Sequence, residues 1–220
     1  MTVLGLDGAL GSFSAAIANG NTPAGTIELS DKQALEHGLA AVAEILEETG
    51  LAARAIDCIG VGIGPGGFTG VRIAISYAKS LAQGWRRPLV GISSFDALET
   101  QVEYAADRPL LSVVRGRTGV VSVRLRVHGH ELRASGYVGD VLDRIEPGLG
   151  RERIQVLGDA EDVLAALGER GFDVQMLNRA VKPAALAVAY LASAREPAAS
   201  FHEVRADYGE LPAARVPGRL

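Results

Sequence analysis

Asp7 ends the first apolar run of the chain, Val3 to Leu6, and Gly8 follows it. A carboxylate at a strand end either serves chemistry or stabilises its turn. A second feature lies further on, where residues 60–72 read Gly-Val-Gly-Ile-Gly-Pro-Gly-Gly-Phe-Thr-Gly-Val-Arg. Within it, Gly62-x-Gly64-x-x-Gly67 has the spacing with which a strand-to-helix turn cradles a pyrophosphate. The acidic residue that would hold a ribose about 20 positions later falls instead in Arg86-Arg87-Pro88, so the dinucleotide fingerprint is incomplete. No Gly-Lys-Ser/Thr follows either, which argues against a P-loop. A sharp turn capped by Thr69 accounts for Gly64, Gly66 and Gly67 through conformational freedom and close backbone approach. Arg72 needs a separate reason, because a cation in the first turn of a helix opposes the macrodipole. A carboxylate or a bound anion is expected beside it.

The remaining reactive side chains point away from catalysis. The histidines are His37, His128, His130 and His202, and no two are four apart, as a helical metal pair requires. His128 and His130 read as solvated residues at a hairpin end. Cys58 is the only cysteine; it sits in an apolar run as a small core residue and excludes any intrachain disulfide or CxxC site. No Gly-x-Ser-x-Gly elbow is present. We therefore expect no catalytic residue, no metal and no cofactor. Arg115, Arg117, Arg124, Arg126 and Arg133 lie in a strand-rich region, where Arg124 and Arg126 alternate with Val123, Leu125 and Val127 as on one solvated sheet face. With 22 basic and 26 acidic residues the net charge is -4, so there is no positive footprint for nonspecific RNA binding. The start of the chain lacks a basic, apolar leader, and no apolar run reaches the roughly 18 residues of a membrane span. A cytoplasmic protein without membrane contact is expected.

Patterning supplies the elements that position these residues. Strands are predicted at Val3 to Leu6, Ser12 to Ala18 and Thr26 to Leu29, with Asn19-Gly20 predicting a type I′ hairpin. Ser30 and Gln33 form a capping box, and Leu35, Leu39, Val42 and Leu46 give the helix that follows an apolar stripe up to Gly50. Ala41 and Ile45 lie off that stripe. A strand at Ile56 to Ile63, a helix at Val71 to Gln83, a strand at Leu89 to Ile92 and a helix from Ser93 or Ser94 to about Tyr104 complete the order βββαβαβα. A break near Ala106 divides the chain into lobes 1–106 and 107–220. Without its tail from Glu196 onward, the second lobe is the smaller. It has a meander at Leu110 to Val114, Val120 to Val127 and Leu132 to Val138, a strand at Ile154 to Leu157, helices at Ala160 to Leu167 and Pro183 to Ala194, and an extended tail. In the Val71 to Gln83 helix, Ala74, Ala78 and Leu81 recur at i, i+4 and i+7. Small residues so placed admit either a neighbouring helix axis or a doubly covered sheet.

The stretch Gly64-Pro65-Gly66-Gly67-Phe68-Thr69-Gly70-Val71-Arg72 resembles the signature of the TsaB family, the dimerisation subunit of the bacterial tRNA threonylcarbamoyladenosine machinery. Leu6-Asp7, residues 57–62 and residues 90–98 extend the resemblance over about the first 105 residues. It implies an α/β fold of the actin-like ATPase (ASKHA) duplication, two small lobes each with a mixed sheet and packed helices. It also implies a noncatalytic scaffold for the TsaD-type catalytic subunit, joined by a TsaE-type ATPase. The reaction served is threonylcarbamoylation of adenosine 37 in tRNAs reading ANN codons, with tRNA touched only indirectly. Family members pair through the first two long helices, which places Ala41, Ile45, Ala74, Tyr77, Ala78 and Leu81 at the partner surface and implies a homodimer when the partner is absent. Actin-like ATPases hold a carboxylate at the position of Asp7 near the metal and phosphates. Asp7, Gly8, Gly64, Gly66, Gly67, Thr69 and Arg72 thus form a structural loop or a nucleotide loop. The chain departs from the family at Gly8, where a threonine is usual, at Gly67, where a serine is usual, and at Ala34, where a histidine is common. The closing proline-tyrosine-arginine motif is blurred into Asp207 to Pro212. The rival reading is a small actin-fold ATPase or kinase using Asp7 and the glycine loop.

Overall fold

The computed structural model describes residues 1–29, 31–150, 152–177 and 183–209, with the backbone alone for 31–35. The expected capping box, the stripe position Leu35 and the tail beyond Gly209 lie outside the described residues.

One pattern is used twice. In the first half β1 (Thr2–Asp7), β2 (Phe13–Asn19) and β3 (Thr22–Leu29) form an antiparallel meander, followed by α1 (Asp31–Glu48), β4 (Cys58–Gly64), α2 (Phe68–Trp85), β5 (Leu89–Ser93) and α3 (Ser94–Glu99). The second half repeats this with β6 (Leu110–Arg115), β7 (Val120–Val127), β8 (His130–Tyr137), α4 (Val138–Ile145), β9 (Ile154–Gly158), α5 (Glu161–Glu169), β10 (Val174–Met176) and α6 (Ala184–Ser193). The sheet orders correspond, β3-β2-β1-β4-β5 and β8-β7-β6-β9-β10, and in each the last two strands run parallel to the first. Sequence patterning misses α4 and β10. The helix has two turns wedged between Tyr137 and Pro147, and the strand has three residues, too short for a period to register.

The sheets are covered on both faces. On the outer face of the first, Val42, Ile45, Ala74 and Ala78 of α1 and α2 pack on Leu4, Leu6, Ile59 and Val61. The buried side of α1 is therefore the one carrying Ala41, Val42 and Ile45, whereas Leu39 is 45% exposed, so the expected stripe is rotated. The hairpin after β2 also differs from expectation: Asn19 pairs with Thr22 across Gly20-Asn21, and only Gly20 takes a positive φ. That is the one-glycine requirement of a type II′ turn, not the two left-handed residues of type I′. Helix α2 starts with Gly67 as its N-cap, one turn earlier than patterning predicts, so Thr69 lies inside the first turn.

The third helix of each half leaves its own outer layer. Expected in the second lobe, α6 packs instead on the inner face of the first sheet, where Ala185, Val188, Ala189 and Ala192 meet Val3, Ala16, Cys58 and Val90. The approach is so close that a Cβ on Gly5 would lie 2.1 Å from the Ala185 carbonyl oxygen, and one on Gly60 would lie 2.7 Å from the Ala192 methyl. Glycine in the sheet and alanine in the helix are what let the backbones meet. Conversely, Phe95 and Leu98 of α3 are buried against Leu110, Val114 and Leu157 of the second sheet. Among the described residues no helix is long and apolar enough to cross a membrane.

Candidate functional site

The end of β1 and the start of α2 are in backbone contact. Asp7 is fully buried, and its Oδ1 accepts the amides of Ala9 and Leu10, both at 3.1 Å. The carboxylate also fills the space a side chain on Gly62 would need. Its turn is pressed onto the glycine loop: the Gly67 amide donates to the Ala9 carbonyl at 3.1 Å, and a Cβ on Gly8 would lie 2.5 Å from the Gly70 carbonyl oxygen. A side chain on Gly66 would meet the Ala9 carbonyl, and one on Gly64, at φ +100°, would meet the Asp207 carbonyl. Close approach therefore explains these glycines, and the departure at Gly8 follows from it, because a threonine there has no room.

The segment that blurs the family's closing motif lies against the same loop. The Asp207 amide donates to the Ile63 carbonyl at 2.7 Å, and the Tyr208 ring stacks on Phe68 with centroids 4.9 Å apart. Arg72 is exposed, and its guanidinium rests over Phe68 at 5.1 Å. No ion pair to Arg72 forms among the described residues, which corrects the expected carboxylate: an aromatic face holds the cation instead.

Next to this junction a cleft of about 720 Å³ opens between the two sheets. The β1–β2 turn and Phe68 to Gly70 line one side; Val113, Val114, Arg115, Gly158 and Asp159 line the other. The Arg115 guanidinium is held by Asp159 at 3.0 Å and Asp162 at 2.9 Å, and those hydrogen bonds raise its pKa further above the ordinary value. Among the described residues no three His, Cys, Asp or Glu side chains are placed to hold a metal ion. Cys58 is buried, and burial pushes its thiol up to about 11. His128 and His130 are exposed.

The expected partner surface divides. Ala41, Ile45, Ala74 and Ala78 are buried in this chain's own core and present nothing outward, because the sheet takes the small-residue face. Tyr77 and Leu81 are partly buried at the seam of α1 and α2, where the Tyr77 ring fills the place of a side chain on Gly38 and meets Phe13 edge-on at 5.8 Å. The outward faces of these helices carry Leu39, Ala43 and Glu47 on α1 and Phe68, Arg72, Ser76 and Ser80 on α2. Phe68 is 56% exposed. Sequence reasoning also misplaces Arg124. It is buried against Asp96 and Glu99, not solvated, because α3 covers that face of the second sheet.

Comparison with known proteins agrees with this architecture. The family described as TsaD, tRNA N6-adenosine threonylcarbamoyltransferase, matches residues 26–210. The Escherichia coli tRNA threonylcarbamoyladenosine biosynthesis protein TsaB is 36% identical over 94 residues, which is 43% of this chain and 41% of that protein. The chain thus matches less than half the length of such curated relatives. A crystal structure from Pseudomonas aeruginosa, of an uncharacterized protein with similarity to peptidase YEAZ, has a TM-score of 0.70 at 22% identity and covers 95% of this chain and 99% of that one. A Bacteroides thetaiotaomicron protein with an actin-like ATPase fold has a TM-score of 0.50 at 10% identity, covering 84% and 94%. The doubled βββαβαβα plan is therefore the ASKHA-type two-lobe fold, and the chain belongs to the TsaD family.

Proposed function

We propose that this chain is a noncatalytic subunit of tRNA threonylcarbamoyladenosine formation. It pairs with a TsaD-type catalytic subunit, and a TsaE-type ATPase joins the pair to modify adenosine 37 of tRNAs reading ANN codons. The observation that carries this reading is the use made of Asp7: its Oδ1 accepts two amides of its own turn, and that turn is packed against the start of α2. A carboxylate so engaged serves the loop. The chain's histidines supply no i, i+4 pair for a metal. Pairing uses the outward faces of α1 and α2, with Leu39 and Phe68 as apolar anchors, and the same faces support a homodimer when the partner is absent. Holding a partner in one conformation raises its activity without chemistry in the helper.

Native mass spectrometry of the chain, alone and mixed with the TsaD-type protein of the same genome, tests this. A heterodimer that displaces any homodimer, weakened by Leu39→Glu or Phe68→Glu in a folded chain, is the expected result. ATP turnover by the chain alone, lost in Asp7→Ala, together with no complex with an intact partner, would replace the scaffold by a nucleotide-dependent enzyme working in the 720 Å³ cleft.

A further inference from the structure

Side chains from the second sheet and from the returning segment converge on the short helix α3. Arg124 of β7 is 1% exposed. Its Nη1 lies 2.6 Å from Asp96 Oδ1, its Nε donates to Glu99 Oε1 at 2.9 Å, and its Nη2 lies 2.8 Å from Glu99 Oε2. Phe95 of the same helix lies beneath the guanidinium at 5.1 Å. Ser112 of β6 donates to Glu99 Oε1 at 2.7 Å, and Arg126 reaches Glu99 Oε2 at 3.2 Å. Arg195, two residues beyond α6, closes on Asp96 Oδ2 at 2.7 Å.

The topology makes this cluster a junction. Helix α3 leaves the first sheet directly at Ser93, Arg124 and Ser112 belong to the second sheet, and Arg195 follows the helix packed on the first. Apolar contacts of Phe95 and Leu98 with Leu110, Val114 and Leu157 continue the same seam. A hinge motion that drew α3 from the second sheet would strand Arg124 or its two carboxylates before water could replace the lost partner. That kind of rupture of a buried pair is the costly one.

We infer that Asp96, Glu99, Arg124 and Arg195 form an interlobe lock that fixes the angle between the two sheets, so that the chain is a rigid frame and not a hinge closing on its cleft. The lock is a property of the chain by itself, so its test is independent of pairing with any partner.

The test is a pulsed electron-spin distance measurement on the full chain, labelled at Ala52→Cys in the first lobe and Ala165→Cys in the second; both positions are exposed, and Cys58 is buried. We expect one narrow distance that added MgATP leaves in place. Arg195→Ala removes an exposed arm from the cluster and is expected to broaden the distribution, as is Asp96→Asn, while Arg195→Lys restores the narrow one. If Arg124→Ala does not fold, these two variants still decide. A broad or two-peaked distribution before any substitution, a shift with MgATP, or an unchanged narrow peak in folded Asp96→Asn and Arg195→Ala would each overturn the lock.

Discussion

Gly8→Ala adds one methyl carbon where the backbone of α2 already lies. The new Cβ would sit 2.5 Å from the Gly70 carbonyl oxygen and 2.8 Å from its carbon, where ordinary contact begins at 3.4 Å, so the turn and the helix must part by close to an ångström. No flexible side chain absorbs the strain: Asp7 ties the Ala9 and Leu10 amides, and the Gly67 amide is bonded to the Ala9 carbonyl. Overpacking costs ~1–3 kcal/mol, and rigid backbone on both sides places this case at about 3 kcal/mol. At roughly 2–4 °C per kcal/mol for a chain of this size, the melting midpoint falls by roughly 6–12 °C. Gly8 does not adopt a positive φ, so the effect is steric alone. Thermal melting with a parallel guanidinium titration reads the loss. Two further substitutions sharpen the result. Gly84→Ala, in α2 but facing open space, is expected to gain about 1 kcal/mol from helix propensity. Gly70→Ala has the same propensity gain, yet its Cβ would lie 1.9 Å from the Gly8 carbonyl oxygen, so it is expected to lose stability. A Gly8→Ala midpoint within about 2 °C of the parent, with Gly70→Ala as stabilising as Gly84→Ala, would refute the close contact.

Three other outcomes are expected. Arg124→Ala removes the buried cation between Asp96 and Glu99, leaving them only the more exposed Arg195 and Arg126, and should cost about 3–5 kcal/mol in chemical denaturation, whereas Arg126→Ala, at a half-exposed position, should cost no more than about 1 kcal/mol. Burial alone would raise the pKa of Asp96, but hydrogen bonds from Arg195 and Arg124 and their charges outweigh it and hold the carboxyl below its usual value. Its contribution to stability is therefore present above the unfolded pKa and lost as pH falls through the folded one. Acid titration of stability should show a shallower fall below about pH 4 in Asp96→Asn than in the parent. Cys58, its thiol pushed up to about 11 by burial, should resist alkylation at pH 8 in the folded chain and react fully in denaturant; rapid native labelling counted by mass spectrometry would contradict its placement.

Much of the first half was legible because its signals are local. Asp7 followed by Gly8, the glycine run and the presence of α2 each declare themselves within a few residues, and a turn-stabilising Asp7 is the reading the residues favour. What failed depends on which neighbour covers a face. Leu39 satisfies a helical period with Val42 as well as Ala41 does with Ile45, and only the sheet beneath decides that Leu39 turns outward while the other three turn inward. Arg124 and Arg126 alternate with valine and leucine as on any half-wet strand. The carboxylates that bury Arg124, Asp96 and Glu99, lie some 28 and 25 positions away on α3. Their i, i+3 spacing on a helix was a readable hint of a paired site, but nothing local aims it at β7. The small residues of α2 were readable as a packing face, while their side, inward to β1 and β4, was not.

The return of α6 to the first sheet sets the order in which the molecule can be completed. Ser14 accepts the Ala185 amide across 171 positions, and the backbone of α6 lies directly against the inner face at Gly5 and Gly60. All five strands of that sheet are synthesised by Ser93, yet the side on which α6 packs stays incomplete until that helix emerges. Vectorial synthesis, which elsewhere lets an amino-terminal domain fold first, here delivers a half-built layer and then the whole of the second sheet before the missing helix. The two lobes are units of architecture but not of assembly, and a helix made after the whole second sheet is the one that finishes the first.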